Sequence, residues 1–287
     1  MERVEHSDEH GSDGIAGPDV ASLIEPVAEL VLQVVDDIVV PRFGRLSDDE
    51  ITTKDGAELT TSVDVDAERV LTEGIRSLTP DVPVVGEEAS SSDPAVLDLL
   101  SSGGDVWLVD PLDGTTNFTE HSPNHGIIVG LRLEGVVVAA WSWNAATGAL
   151  HLLGPGGVER RTTTERHRLE PLPDLDRDPR VVAKWWYLPP EQRAVAKANI
   201  EKIDTVAGPG SAASEYPMLL DGDIDGLLYG RTRAWDHAPG CAMVRRLGGV
   251  ARRLDGNEYV PGVPGPGLLV ARSAAAWERI HHDLGFG

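Results

Sequence analysis

Cysteine is nearly absent from this chain. One residue, Cys241, stands among 287, so no intrachain disulfide framework can form, and the chain fits a reducing, cytoplasmic setting. Basic residues are also scarce. Against 47 Asp plus Glu there are 25 Lys plus Arg, a formal net charge of −22. That balance excludes nucleic-acid backbones and anionic membrane as expected partners, since both need basic patches. It would also repel a phosphorylated substrate unless cations offset the charge locally. No apolar run approaches the roughly 20 residues of a membrane span, and the acidic N-terminus does not read as a signal peptide. Histidines and Cys241 form no cluster at zinc spacing. His121, His125 and His237 are isolated and read as structural. Trp141, Trp143, Trp185 and Trp186 read as core aromatics, and no internal repeat is visible.

What remains is a chain long enough for one large domain or two packed lobes. Residues 1–17 are polar and acidic and read as a disordered tail, whose His6 and His10 are not expected to bind metal specifically. Residues 18–155 and 156–287 read as two lobes, with a Gly/Pro/Arg/Thr-rich boundary between Gly154 and Arg180. Apolar residues from Ile24 to Ile38 recur at helical spacing behind a candidate cap, Asp19, and Pro41 closes that helix. Arg45 to Ser62 reads as a mobile loop carrying Lys54-Asp55-Gly56, followed by a helix from about Val65 to Leu78. Val82 to Val85 reads as a short strand, and Ser90 to Gly104 as a linker around a small helix. Ile127–Leu133 and Val136–Trp143 flank Glu134-Gly135, a hairpin signal. Strands and helices mix throughout, so the class is α/β or α+β in layers.

The most informative stretch is Trp107-Leu-Val-Asp110-Pro-Leu112-Asp113-Gly114-Thr115-Thr116-Asn117-Phe118. An apolar run ends at Asp110, Pro111 fixes one φ, and Gly114 permits a left-handed backbone. Two carboxylates thus stand beside a Gly-Thr-Thr step whose amides and hydroxyls can donate. Carboxylates suit a hard divalent cation, and the donors beside them suit a phosphate. Ordinary turns use Asp-Gly too, but a plain turn needs neither paired Asp nor paired Thr. Acidic residues recur at comparable places: Asp64 near a helix start, Glu87 after an apolar strand, and Asp236 at the head of a helix, where it could equally be a cap. A few such carboxylates plus a substrate phosphate fit Mg²⁺.

The order Gly86-Glu87-Glu88, Asp110-Pro-Leu-Asp113-Gly-Thr-Thr, Gly210-Ser211-Ala212-Ala213, then Trp235-Asp236 with Gly240 and Gly248-Gly249 resembles the inositol monophosphatase family over about residues 20 to 275. The resemblance implies an αβαβα sandwich of the sugar-phosphatase type, two or three Mg²⁺ ions per site, a homodimer, and hydrolysis of a small phosphorylated metabolite by metal-activated water. It implies that Glu87, Asp110 and the Leu112 carbonyl hold one metal, and that Asp110, Asp113 and Asp236 hold a second. Glu87 with waters would hold a weaker third, near Lys54, with lithium sensitivity to follow. Asp64 and Thr115 would orient and deprotonate the water. Gly114, Thr115 and Thr116 would cradle the phosphate, and Gly210, Ser211 and Ala212 would line the alcohol side.

One position departs from the family pattern. Inositol-cleaving members place a Glu seven residues before the Trp-Asp aspartate, and this chain has Tyr229, which cannot hold two hydroxyls as a carboxylate can. Arg231 and Arg233 follow closely. Inositol, histidinol, sugar and nucleotide phosphates therefore all stand as substrates. The rival readings are a phosphatase for a nucleotide or fructose bisphosphate, with Arg231, Arg233 or the basic segment Arg160 to Arg168 on the second phosphate, and a non-catalytic binding protein on the same fold.

Overall fold

Helical periodicity near the N-terminus becomes α1 (Val20–Val34), capped by Asp19, whose carboxylate accepts from the Ala21 amide at 3.1 Å. The computed structural model describes residues 17–54, 58–173 and 175–287. The tail assigned to residues 1–17, with His6 and His10, lies outside these except for Gly17, as do Asp55 and Gly56. α1 continues through one π-turn, Val35–Val39, into a final turn, α2 (Val40–Arg42). Pro41 therefore sits inside that last turn, early enough in it to be tolerated.

The expected loop at 45–62 is instead a hairpin, β1 (Ile51–Lys54) paired antiparallel with β2 (Glu58–Thr61). The helix after it, α3 (Ser62–Leu78), begins three residues earlier than its apolar spacing suggested. A capping box explains the shift. The Thr61 hydroxyl accepts from the Val63 amide, and the Asp64 carboxylate accepts from the Thr61 amide at 2.8 Å.

Next come β3 (Val84–Gly86), α4 (Glu87–Ser92), α5 (Asp98–Ser101) and β4 (Val106–Asp113). The segment between β3 and β4 is tied down by Arg132, a buried guanidinium that donates to the carbonyls of Leu99, Leu100 and Gly104 at 2.9–3.1 Å. α6 (Thr115–Thr119) leads to the meander β5 (Gly126–Leu133), β6 (Val136–Asn144) and β7 (Ala149–Gly154). Its first turn is the expected one, with Glu134 at φ 49° and Gly135 at φ 81°, the left-handed pair of a type I′ hairpin. β8 (Gly157–Arg161) and β9 (Arg166–Arg168) extend the same sheet. The lobe boundary placed at residue 155 thus cuts through one sheet, because these charged strands at its end carry no apolar pattern to mark them.

The remaining elements are β10 (Arg180–Lys184), α7 (Pro190–Asn199), β11 (Asp204–Thr205), α8 (Ala212–Leu220), β12 (Gly226–Tyr229), α9 (Ala234–Arg246), β13 (Val250–Arg252), β14 (Leu268–Ala271) and α10 (Ala274–Asp283). They build a five-stranded sheet ordered β11-β10-β12-β14-β13, beside the seven-stranded β3 to β9.

Three apolar cores define the layers. α1 and α3 bury Val27, Val31, Leu71 and Ile75 against Trp107 and Trp141 of the large sheet. α8 and α9 lie between the sheets, with Tyr216 and Met243 in one core with Leu108 and Leu227. Ala196 of α7 and Trp277 and Ile280 of α10 cover the outer face of the second sheet. The architecture is the αβαβα sandwich, and burial of these faces supplies its stability. Of the four tryptophans expected in the core, Trp141 and Trp143 are buried, Trp185 is partly buried, and Trp186 is exposed.

Candidate active site

β3 and β4 run parallel, with Gly86 opposite Val109. Their carboxyl ends therefore meet, and the residues that follow, Glu87 and Asp110, are neighbours across a strand spacing of about 4.8 Å. In a regular strand Asp110 and Asp113, three apart, would face opposite sides of the sheet. The β4–β5 register instead slips between them: Asp110 pairs with Ile128 and Asp113 with Gly126. Such a bulge re-aims side chains, and Pro111, which has no ladder donor, belongs at one. Both carboxylates consequently reach the same cleft. α9 brings Asp236, in its first turn, to the same cluster.

The cleft has a volume of about 430 Å³ and is lined by Glu87, Asp110, Leu112, Asp113, Gly114, Thr115, Thr116, Gly210, Ala212, Tyr229 and Asp236 among others. Carboxylate oxygens of Glu87, Asp110 and Asp236 all lie within 4.8 Å of one another. Asp113 stands to one side, its Oδ2 accepting from the Ala213 amide at 2.5 Å. Asp64 is buried behind the wall, where its Oδ1 accepts from the Thr115 hydroxyl at 2.8 Å, and that hydroxyl also lies 3.1 Å from the Leu112 carbonyl. Ser211 does not line the cleft. Its hydroxyl caps α8, accepting from the Ser214 amide at 3.2 Å, so a substrate-lining role is not what its placement offers.

Lys54, from the β1–β2 hairpin, pairs with Glu88 and lies 3.6 Å from Glu87. Arg233 donates to Glu87 at 3.3 Å and pairs with Glu58, which also holds Arg231 at 2.8 Å. A neutral His237 completes the wall: burial pushes its pKa down to about 3, and Nε2 lies 3.2 Å from the Arg231 carbonyl. Cys241 is buried, its thiol pushed up to about 11 by burial.

The electrostatics favour a cation. Burial, then mutual repulsion, holds Asp110 and Asp236 well above the usual carboxylate range. Burial raises Glu87 despite Lys54 and Arg233. Burial likewise lifts Asp113 to about 7 against the Ala213 amide, and Asp64 to about 7 against its bonds from Thr61 and Thr115. Asp236 Oδ1 is buried with no hydrogen-bond partner. Crowded carboxylates with an orphaned oxygen are a hard-cation donor set, so Glu87, Asp110, Asp236 and the adjacent Asp113 fit Mg²⁺.

Several contributors escaped the sequence reading. Glu68 lies one helical turn after Asp64 on the buried face of α3, and its carboxylate accepts from the Glu88 and Ala89 amides at 2.7 and 2.8 Å. It thereby caps the short helix that presents Glu87. Gly86 makes room for it, since a Cβ there would lie 2.4 Å from the Glu68 carboxyl. Two acids four apart on an apolar helix face were the available signal. Glu68→Ala is expected to weaken activation by Mg²⁺ about tenfold, in the range for lost support of a ligand, and to lower stability by about 1–2 kcal/mol for the lost cap. A Mg²⁺ titration of activity beside a thermal melt checks both. Asn117 Nδ2 donates to the Asn124 and Pro209 carbonyls at 2.6 and 2.9 Å, pinning the Gly210 loop to the Gly114 turn. Gly114 itself has φ 87°, which glycine adopts without strain.

A family model described as the inositol monophosphatase family matches residues 20–285. The chain is 28% identical over 275 residues to a probable inositol 1-monophosphatase, ImpA, of Mycobacterium tuberculosis, covering 92% of this chain and 94% of that protein. It is 27% identical over 214 residues to the Nus factor SuhB of Escherichia coli, covering 72% and 76%. Among solved structures, the extragenic suppressor protein suhB of Bartonella henselae superposes with a TM-score of 0.72 at 20% identity, covering 91% of this chain and 99% of that one. The last likeness speaks to the fold alone.

Proposed function

The chain belongs to the inositol monophosphatase family, and from that premise we propose that it is a Mg²⁺-dependent phosphomonoesterase acting on a small sugar, cyclitol or alcohol phosphate. The observation that carries the reading is the convergence of Glu87, Asp110 and Asp236, from three separate elements, to within 4.8 Å. Glu87, Asp110, the Leu112 carbonyl, Asp113 and Asp236 would hold two ions, and Glu87 a third. When bound, these supply charge neutralisation at the phosphoryl group and a water of lowered pKa.

The rest is done by side chains and amides. Phosphoryl transfer asks mainly for positioning and charge stabilisation. The left-handed Gly114 turns the chain so that Thr115 and Thr116 face the cleft at the start of a helical turn, ready to donate to phosphoryl oxygens. The Thr115 hydroxyl can accept a proton from the attacking water while passing its own to Asp64 Oδ1, 2.8 Å away. A carboxylate held there as a base is expected to contribute about a hundredfold or more. Asp64→Asn should therefore lower kcat by roughly that factor with little change in KM, since Asp64 touches no bulk ligand. Phosphate release from inositol 1-phosphate, glycerol phosphate and a nucleoside monophosphate, with Mg²⁺ and with EDTA, tests the reading. Equal release in both conditions, or none on any substrate, removes it. The intact acidic set supports this reading over that of a binding protein that has lost catalysis. A homodimer in the cytoplasm remains the family-based expectation. Among the described residues no helix is long and apolar enough to cross a membrane.

A further inference from the structure

Across the cleft from the acidic cluster, the wall is built by the carboxyl ends of two parallel strands. Lys184 ends β10, Tyr229 ends β12, and the two residues are register partners. Open α/β sheets bind ligands in the crevice at such strand ends. Both residues line the cleft, with the Lys184 ammonium 5.3 Å from the Tyr229 ring centre. Behind them lies Glu215 of α8, whose side chain has no exposure at all. Its Oε1 takes Lys184 Nζ at 2.9 Å and the Gly210 amide at 3.2 Å, and its Oε2 takes the Tyr229 hydroxyl at 2.7 Å.

This arrangement settles what each group has left for a ligand. Glu215 accepts from three donors and its side chain is fully walled off, so it cannot receive substrate hydroxyls. Tyr229 has committed its proton to Glu215, and only a lone pair remains. Lys184 has three N–H donors and spends one on Glu215. Its side chain is 20% exposed, so the other donors are available to the cleft. Arg231, also on the lining and more than half exposed, adds a second cation toward the rim. Where a carboxylate would receive vicinal hydroxyls, this wall offers charged donors that match acceptors.

We propose that Lys184, held by the buried Glu215 and flanked by Tyr229, is the specificity-determining residue of the alcohol side, and that the substrate is a phosphate monoester whose alcohol portion carries an acidic group, a carboxylate or a second phosphate. The proposal rests on the phosphomonoesterase reading and names the substrate class of that same site. A charge-assisted bond from the ammonium to such a group would also explain how a chain of net charge −22 accepts a doubly anionic ligand.

The test compares substrates that share a skeleton and differ by one acidic group: 3-phosphoglycerate with glycerol 3-phosphate, and 6-phosphogluconate with glucitol 6-phosphate. Fructose 1,6-bisphosphate with fructose 1-phosphate extends it to a second phosphate. The native enzyme is expected to favour the acidic member of at least one pair by about tenfold in kcat/KM, expressed through KM. Glu215→Gln removes the charge that offsets Lys184, and should raise that ratio several-fold. The double variant Lys184→Met with Glu215→Gln removes both charges without stranding either one in the wall, and should bring the ratio to about one. Lys184→Arg in the native background should retain most of the preference. A merely structural pair would move kcat on both members together and leave the ratio alone. A native ratio at or below one in all pairs overturns the proposal, as does a ratio indifferent to both variants. If the double variant does not fold, the rise in Glu215→Gln decides by itself, and its absence counts against the proposal. Loss of Mg²⁺-dependent release from every probe would instead bring down the phosphatase reading, and is recognisable because no ratio can be formed.

Discussion

Asp110→Asn is expected to cut Mg²⁺-dependent phosphate release by at least about a thousandfold and to leave the fold standing. Asp110 is one of the three clustered carboxylates of the site. It is 1% exposed, it lies with Glu87 and Asp236 inside the 4.8 Å cluster, and it belongs to both ion positions assigned above. Asn keeps the shape and keeps an oxygen for the Leu112 amide, which Asp110 Oδ1 accepts at 3.1 Å. The substitution therefore removes charge and little else. In the cation-free protein that charge is unfavourable, because Asp110 sits among Glu87, Asp113, Asp236 and Asp64, all raising its pKa after burial has done so. The thermal midpoint without Mg²⁺ should hold or rise, while the stabilisation that Mg²⁺ confers on the native protein should shrink. A phosphate-release assay with melts in Mg²⁺ and in EDTA reads all three. Activity within tenfold of native would refute the metal assignment.

The second large effect is the way pH and Mg²⁺ trade places in stability. Asp64 and Asp113 are raised from 3.8 to about 7, and Asp110 and Asp236 are also raised well above the usual range. A carboxyl with a folded pKa above its unfolded one binds more protons in the fold, so stability falls as pH rises. Below about pH 4 both states hold these protons and the groups cost nothing. Between there and about 7 the unfolded chain ionises while Asp64 and Asp113 in the fold do not, and their part of the loss is complete above 7. At about 1.4 kcal/mol per pKa unit, these carboxyls together are worth several kcal/mol. A divalent cation binding the ionised cluster reverses the loss. At a hundred times its dissociation constant it returns about 2.7 kcal/mol, roughly 5–10 °C in midpoint for a chain of this size. Melts with Mg²⁺ and with EDTA should nearly coincide at pH 5 and separate by that amount at pH 8. A Mg²⁺ shift that is the same at both pH values would contradict the buried acidic cluster as the binding site.

Much of the site was legible because the residues that make it break a local rule. An apolar run that ends in Glu87 or Asp110 puts a charge where a strand alone has no use for one, and Asp-Pro-Leu-Asp-Gly-Thr-Thr carries more donors and acceptors than a turn requires. The same rule applied to Arg-Val-Val-Ala-Lys184 would have exposed the second wall, and a lone Glu215 in an apolar helix was the matching sign on α8. Neither stands out in the sequence, because a single charge with no partner nearby looks like a solvated end. The hairpin at 51–61 is hidden in the sequence for another reason. Its strands are polar, and the residues they bury are Thr60 and Thr61, so hydrophobic alternation had nothing to mark.

The sequence by itself determined the turn at Gly114 and the start and cap of α1, which are set by residues within one helical turn of each other, and the layered class and the family, which are set by the order of elements and motifs along the chain and need no knowledge of what is buried together. Only the tertiary structure decided that Ser211 caps a helix instead of facing the cleft, that Glu68 supports Glu87, and that Glu215 neutralises Lys184 behind Tyr229. Those outcomes depend on which groups are buried together, and burial is what turns an ordinary carboxylate into a cation ligand, a helix cap or a counter-charge.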